Sequence, residues 1–219
     1  MKNMLLKEYR AVERFPILKA YLHHFSQTSM KNEMPGLLSF FFIQGQTSLP
    51  YIRLPTGDTH LDLRVHVFWI QPSRTGKSIA WNFISDIMEQ AEIPFELFAS
   101  GTDAGLIGST NAILDENNKP TGEVETVEGL LAGRKAINFD EGSILLTPNK
   151  HSQETVLYLQ TACNPVGSGN NTLMKHMKGN KIECPSLVSL WITTYPPKGV
   201  KDYVLTKGIF QRVLLYYRH

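Results

Sequence analysis

Cysteine is scarce in this chain: Cys163 and Cys184 are the only two in 219 residues. They form no Cys-x-x-Cys pair, so the spacing points to two reduced core thiols and away from a disulfide scaffold or redox motif. The seven histidines show no metal-ligand spacing. Charge of one sign is also lacking, because a formal net charge of +2 is too small to announce a nucleic-acid partner by itself. Long apolar runs are missing too. The longest, Leu37–Ile43 and Val65–Ile70, fall far short of the roughly 20 residues that cross a bilayer. Near the start, Lys7, Glu8 and Arg10 interrupt the chain after Leu5-Leu6, which excludes a secretory hydrophobic region there. The expectation is a cytoplasmic protein. There is no internal repeat and no low-complexity tract.

Apolar residues are plentiful enough, at 42% of the chain, to bury one sizeable core. Residues 1–50 read as an N-terminal helical segment. Apolar positions recur at helical spacing from Leu5 to Phe25, and Pro16 is suited to start a second helix. Leu37–Ile43 fits a buried helix better than a strand. Residues 51–219 change character. Five β-rich runs alternate with helical stretches: Val65–Ile70, Pro94–Phe98, Lys135–Phe139, Leu187–Thr194 and Val213–Tyr217. That alternation predicts an α/β fold with a central, mostly parallel five-stranded sheet between helical layers. The clearest helix is Lys77–Ala91, where Ile79, Ala80, Phe83, Ile84, Ile87, Met88 and Ala91 form one apolar stripe. Leu114–Gly133 and Asn164–Cys184 stand out as long insertions between core elements.

Two motifs carry chemistry. Gln71-Pro72-Ser73-Arg74-Thr75-Gly76-Lys77-Ser78 matches the phosphate-loop (Walker A) pattern G-x-x-x-x-G-K-[ST] at every defining position except the first, where glutamine replaces glycine. A strand delivers this loop and a helix opens at its end, so backbone N–H groups and the positive end of the helix dipole face an anion. In that arrangement Lys77 reaches the β- and γ-phosphates of ATP and the Ser78 hydroxyl ligates Mg²⁺. The second motif is Asp140-Glu141 at the end of the strand Lys135–Phe139. Asp140 is suited to organise the metal and Glu141 to polarise attacking water, which favours NTP hydrolysis over phosphoryl transfer to an acceptor.

The order of phosphate loop, acidic strand, strand ending in Thr193-Thr194, and Gly208-Ile209-Phe210-Gln211-Arg212 before a last strand resembles the core of AAA+ P-loop ATPases. Phe98–Ser109 is similar to the Ser- and Gly-rich segment of the minichromosome maintenance (MCM) helicases. Gly122–Leu131 occupies the place of that family's helix-2 insert, with turn residues from Asn117 to Gly122. Gln153–Cys163 is similar to the family's helix after the acidic strand, and Lys175–Lys181 takes the place of its presensor hairpin.

The resemblance spans approximately residues 61–219 and implies a ring-forming, hexameric helicase ATPase that moves along DNA, a viral or plasmid-type relative in the cytoplasm of a prokaryotic or virus-infected host cell. It implies Lys175, Lys178 and Lys181 as DNA contacts, against the alternative of a solvated basic loop. It implies Arg212 as an arginine finger acting on a neighbouring subunit, against a strand-edge arginine. The family's sensor is asparagine, so Thr194, or its neighbour Thr193, has to serve with a hydroxyl. The resemblance also implies a helical lid after the last strand, whose place is expected to be taken by the helices of Leu5–Phe25 unless the sequence is a fragment that lacks it. Three rivals stay open: a small-molecule kinase, a non-catalytic nucleotide-binding assembly module, and a motor acting on polypeptide.

Overall fold

A computed structural model of the chain describes residues 14–30, 32–57, 59–98, 103–146, 153–166, 171–177, 180–206 and 208–218. The expected leader helix over Leu5 to Val12 and the hairpin-tip lysine Lys178 lie outside the described residues.

The first described helices are α1 (Pro16–Phe25), which has Pro16 in its first turn, and α2 (Met34–Ser48). The short strands β1 (Leu54–Thr56) and β2 (Thr59–Leu61) pair antiparallel. Then come β3 (Val67–Ile70), α3 (Lys77–Gln90), β4 (Phe95–Phe98), α4 (Asp103–Ile107), β5 (Gly108–Leu114) and β6 (Pro120–Glu128). They are followed by β7 (Ala136–Phe139), α5 (Ser143–Leu146), α6 (Gln153–Ala162), β8 (Thr172–Met177) and β9 (Asn180–Pro185). The chain ends with β10 (Ser189–Thr194), α7 (Asp202–Thr206), a 3₁₀ turn at Ile209–Gln211 and β11 (Leu214–Tyr217).

Five strands form the central sheet in the order β11-β3-β10-β7-β4, and every neighbouring pair is parallel. Its members are the five runs expected from sequence, each starting one or two residues later. The long insertions are not loops. One is the antiparallel hairpin β5–β6, which begins at Gly108, and the other is the hairpin β8–β9.

Period-2 alternation sends each strand's side chains to two different cores. Val67, Trp69, Ala136 and Trp191 pack with Leu38, Phe42 and Ile43 of α2 and with Ala80, Phe83, Ile84 and Met88 of α3. Phe68, Ile70, Ile137, Phe139, Leu190 and Ile192 pack on the other face with Leu106, Ile107 and α6 residues Val156, Leu159 and Ala162. On the first face, Trp191 meets Trp69 at 6.2 Å and Phe42 at 5.4 Å in edge-to-face geometry. Both cysteines are buried and free, and burial pushes the Cys163 thiol up to about 12.

One end of the sheet is clamped by a buried ion pair. Arg64 donates from Nε to Asp62 Oδ1 at 2.9 Å, and its remaining nitrogens donate to the carbonyls of Val188 at 2.8 Å, Asn164 at 2.7 Å and Ala162 at 3.2 Å. Asp62 also accepts from the Val166 amide at 2.7 Å. Burial by itself raises the Asp62 carboxyl, but the bonds and charge of Arg64 and the Val166 amide outweigh it and hold the group below its ordinary value. Next along the chain, His66 is buried and accepts at Nδ1 from the Leu190 amide at 3.2 Å. Burial, reinforced by the Arg64 charge, lowers its pKa to about 3.

The imidazole is therefore neutral in the fold and protonates only in the unfolded chain, whose histidine titrates near ~6.5. Stability is complete above that value and declines as pH falls from it towards about 3. Denaturant unfolding at pH 7 and pH 5 should differ by about 2 kcal/mol from this group, and His66→Asn should flatten that part of the pH profile.

Candidate functional site

Because the sheet is parallel, the C-terminal ends of β3, β10, β7 and β11 share one edge, where open parallel sheets bind ligands. The phosphate-loop residues and Asp140-Glu141 meet at this edge. β3 ends at Ile70 and α3 begins at Lys77, with the intervening loop turned by Gly76 at φ +91°, a conformation that glycine adopts without steric cost. Arg74 also has a positive φ, +61°. For a side-chain-bearing residue that strain is of order 1–3 kcal/mol, a cost commonly found where backbone is shaped for a ligand.

Gln71 has a structural task in place of the usual glycine. Its side chain is buried, and its Oε1 accepts the Trp69 indole N–H at 2.7 Å. Its amide donates to the Thr194 carbonyl at 3.1 Å, which fastens the loop to β10. With its carboxamide committed to Trp69, Gln71 offers the loop its backbone. Pro72, Ser73, Arg74 and Ser78 are exposed, and Thr75 and Gly76 are half-buried. The Thr75 hydroxyl donates to the Pro72 carbonyl at 2.7 Å.

Lys77 curls back over this loop. Its ammonium donates to the carbonyls of Gln71 at 2.7 Å and Pro72 at 2.9 Å, and lies 4.5 Å from the centre of the Tyr195 ring. Partial burial lowers its pKa, while the negative charges of Asp140 and Glu141 act in the opposite direction. The lysine and the acidic pair thus share one electrostatic neighbourhood although 63 positions separate Lys77 from Asp140 (140 − 77).

β10 lies between the loop strand and the acidic strand. Thr193 Oγ1 contacts Asp140, at 3.1 Å to its carbonyl and 3.2 Å to Oδ1. Thr194 Oγ1 is buried and makes no hydrogen bond. Of the two threonines expected to offer a sensor hydroxyl, Thr193 is the one that meets Asp140, because successive strand residues point to opposite faces. Gly142 donates to the Thr193 carbonyl at 2.8 Å, and a Cβ there would collide with Ile192, so the acidic turn is pressed directly onto β10.

Ser78 and Asp140 supply hard oxygen donors at this edge, and both are exposed. Among the described residues no group of three or more His, Cys, Asp or Glu side chains could hold a metal. Two protein oxygens completed by phosphate and water suit Mg²⁺, which does not need an all-protein cage.

A cleft of about 520 Å³ opens beside the loop, lined by Ser29, Met30, Asn32, Gln71, Arg74, Thr75, Gly76, Ile79 and Arg218. Sequence reasoning did not select Arg218, Asn32 or Tyr195. The available signal was position, since Tyr195 directly follows β10 and Arg218 directly follows β11 at the ligand-binding edge.

The other expected residues lie elsewhere. Arg212 precedes β11, at the opposite end of the sheet from Lys77, and so is not placed to serve the same chain's loop. Its Nε donates to Asn164 Oδ1 at 2.7 Å and its NH1 to the Gly208 carbonyl at 2.8 Å. Lys175 and Lys181 both lie on the β8–β9 hairpin, but not on a common basic face. Lys175 is opposite Ile182 and Lys181 opposite His176, which places the two lysines on opposite faces. Lys181 also forms an ion pair with Glu183.

No family model matches the chain, and no curated protein sequence matches it at a significant level.

Replacing Gln71 removes the hydrogen-bond acceptor that the Trp69 indole, which is fully buried, has among the described residues. Gln71→Ala should therefore lower unfolding free energy by about 1–3 kcal/mol in urea titration.

Proposed function

We propose that this chain is the P-loop ATPase core of an AAA+ motor resembling the MCM helicases. The observation that carries the proposal is the gathering of Lys77, Asp140, Glu141 and Thr193 at one sheet edge, with β10 interposed between loop and acids. The antiparallel hairpins β5–β6 and β8–β9 support the MCM-like part, since they occur where the resemblance calls for an insert before the acidic strand and a presensor hairpin after it.

In this proposal the 71–76 loop and the N-terminus of α3 hold a triphosphate through backbone N–H groups, with Lys77 pairing its charge. Ser78 and Asp140 would hold Mg²⁺, which would supply positive charge to offset that of the phosphoryl group. Glu141 takes a proton from the attacking water. Thr193 orients the Asp140 carboxylate through Oδ1. The adjoining cleft receives the nucleoside, with Met30 and Ile79 offering apolar surface and Asn32 and Arg218 polar groups. Arg212 acts on a neighbouring subunit, which requires release of its bonds to Asn164 and Gly208 on assembly. DNA passes the β8–β9 hairpin, gripped by lysines at and around its tip.

ATP hydrolysis measured with wild type and Glu141→Gln, with and without single-stranded DNA and across protein concentration, tests the proposal. Turnover should depend on Glu141, rise with concentration and be stimulated by DNA. Concentration-independent turnover would instead indicate a monomeric P-loop enzyme, and nucleotide binding without turnover an assembly module. Substituting both Lys178 and Lys181 with alanine should abolish DNA stimulation while basal hydrolysis is unchanged; retained stimulation would remove the hairpin from the DNA path.

A further inference from the structure

The Lys77 ammonium already has partners within the chain. An ammonium has three N–H donors, and two are used by the carbonyls of Gln71 and Pro72. The Tyr195 ring lies against the same ammonium, 4.5 Å from ring centre to Nζ. Tyr195 directly follows β10, the strand between the loop strand and the acidic strand. A phosphate that is to pair with Lys77 has to displace the ammonium from these contacts. The ring is not part of the core, being 44% exposed.

From this geometry we propose that Tyr195 is a positioning residue that gates the phosphate subsite: its ring holds the Lys77 ammonium in a closed arrangement that a triphosphate must displace. The inference rests on the phosphate-loop function proposed above. The ring offers no charge to compete with phosphate, so the gate is weak. Cation–π attraction at a partly exposed site is worth a two- to fivefold change in an equilibrium, corresponding to about 0.5–1 kcal/mol. A closed lysine lowers apparent affinity by the fraction of molecules in the open arrangement, and removing the ring restores it.

The test is equilibrium binding of a non-hydrolysable ATP analogue with Mg²⁺ to wild type, Tyr195→Ala, Tyr195→Phe and Lys77→Met, with thermal unfolding recorded for each. Tyr195→Ala should tighten binding about two- to fivefold and leave the melting temperature unchanged. Tyr195→Phe keeps the aromatic face and should bind like wild type, an outcome that a merely structural role for the hydroxyl does not give. Unchanged or weaker binding by Tyr195→Ala overturns the gate, and weaker binding would make the ring part of the nucleotide seat. If wild type binds, Lys77→Met does not and Tyr195→Ala binds no tighter than wild type, the gate alone is defeated and the phosphate-loop function stands. If wild type itself fails to bind the analogue, the phosphate-loop function falls and the gate falls with it.

Discussion

The buried Asp62–Arg64 pair is the constraint on which the rest of the sheet depends. Both side chains are almost inaccessible, at 4% and 1% exposure, so neither charge is left to solvent. Desolvating two such charges is costly, and the cost is met only where geometry is good and spare donors find acceptors. Arg64 meets that condition by donating to carbonyls of residues 162, 164 and 188, which lie at the end of α6 and just before β10. Asn164 extends the network to Arg212, at the start of β11. The N-terminal ends of β3, β10 and β11 are therefore locked together, which leaves their C-terminal ends to carry the exposed loops of the site. His66 works at the same locked end, where its neutral ring accepts from the first residues of β10.

At the free end, β10 sets the geometry. It separates the loop strand from the acidic strand and sends a residue to each: the Thr194 carbonyl receives the Gln71 amide, and the Thr193 hydroxyl meets Asp140. Tyr195, one residue further, reaches Lys77. Three consecutive residues, the last two of β10 and the one that follows it, thus connect groups from otherwise distant parts of the chain. Their alternation in direction, not their chemistry alone, divides the tasks among them.

The two hairpins stand apart from this economy. Every residue of β6 is exposed, and Glu123, Glu125 and Glu128 give that strand an acidic character. β8–β9 is instead rooted in the core through Leu173, Ile182 and Cys184. Its buried face explains why Lys175, opposite Ile182, does not share a surface with Lys181. The positive charge of this hairpin is thus divided between two faces, and on one of them Glu183 offsets it.

Much of the fold was legible in the sequence because its signals are local. The runs 65–70, 94–98, 135–139, 187–194 and 213–217 are rich in β-branched and aromatic residues, and the stripe of α3 has a helical period; both patterns belong to contiguous chain. The phosphate-loop motif and Asp140-Glu141 were readable for the same reason. The tertiary structure alone decided that Gln71 accepts from Trp69, that Thr193 and not Thr194 meets Asp140, that Tyr195 covers Lys77, and that Arg212 is tied to Asn164. Each of these depends on which strand lies beside which, in what register and with which face towards the site. The sequence determined the strands and the chemical groups at their ends. Long-range pairing determined their meetings, because a residue's alternation within its own strand says nothing about the strand that becomes its neighbour.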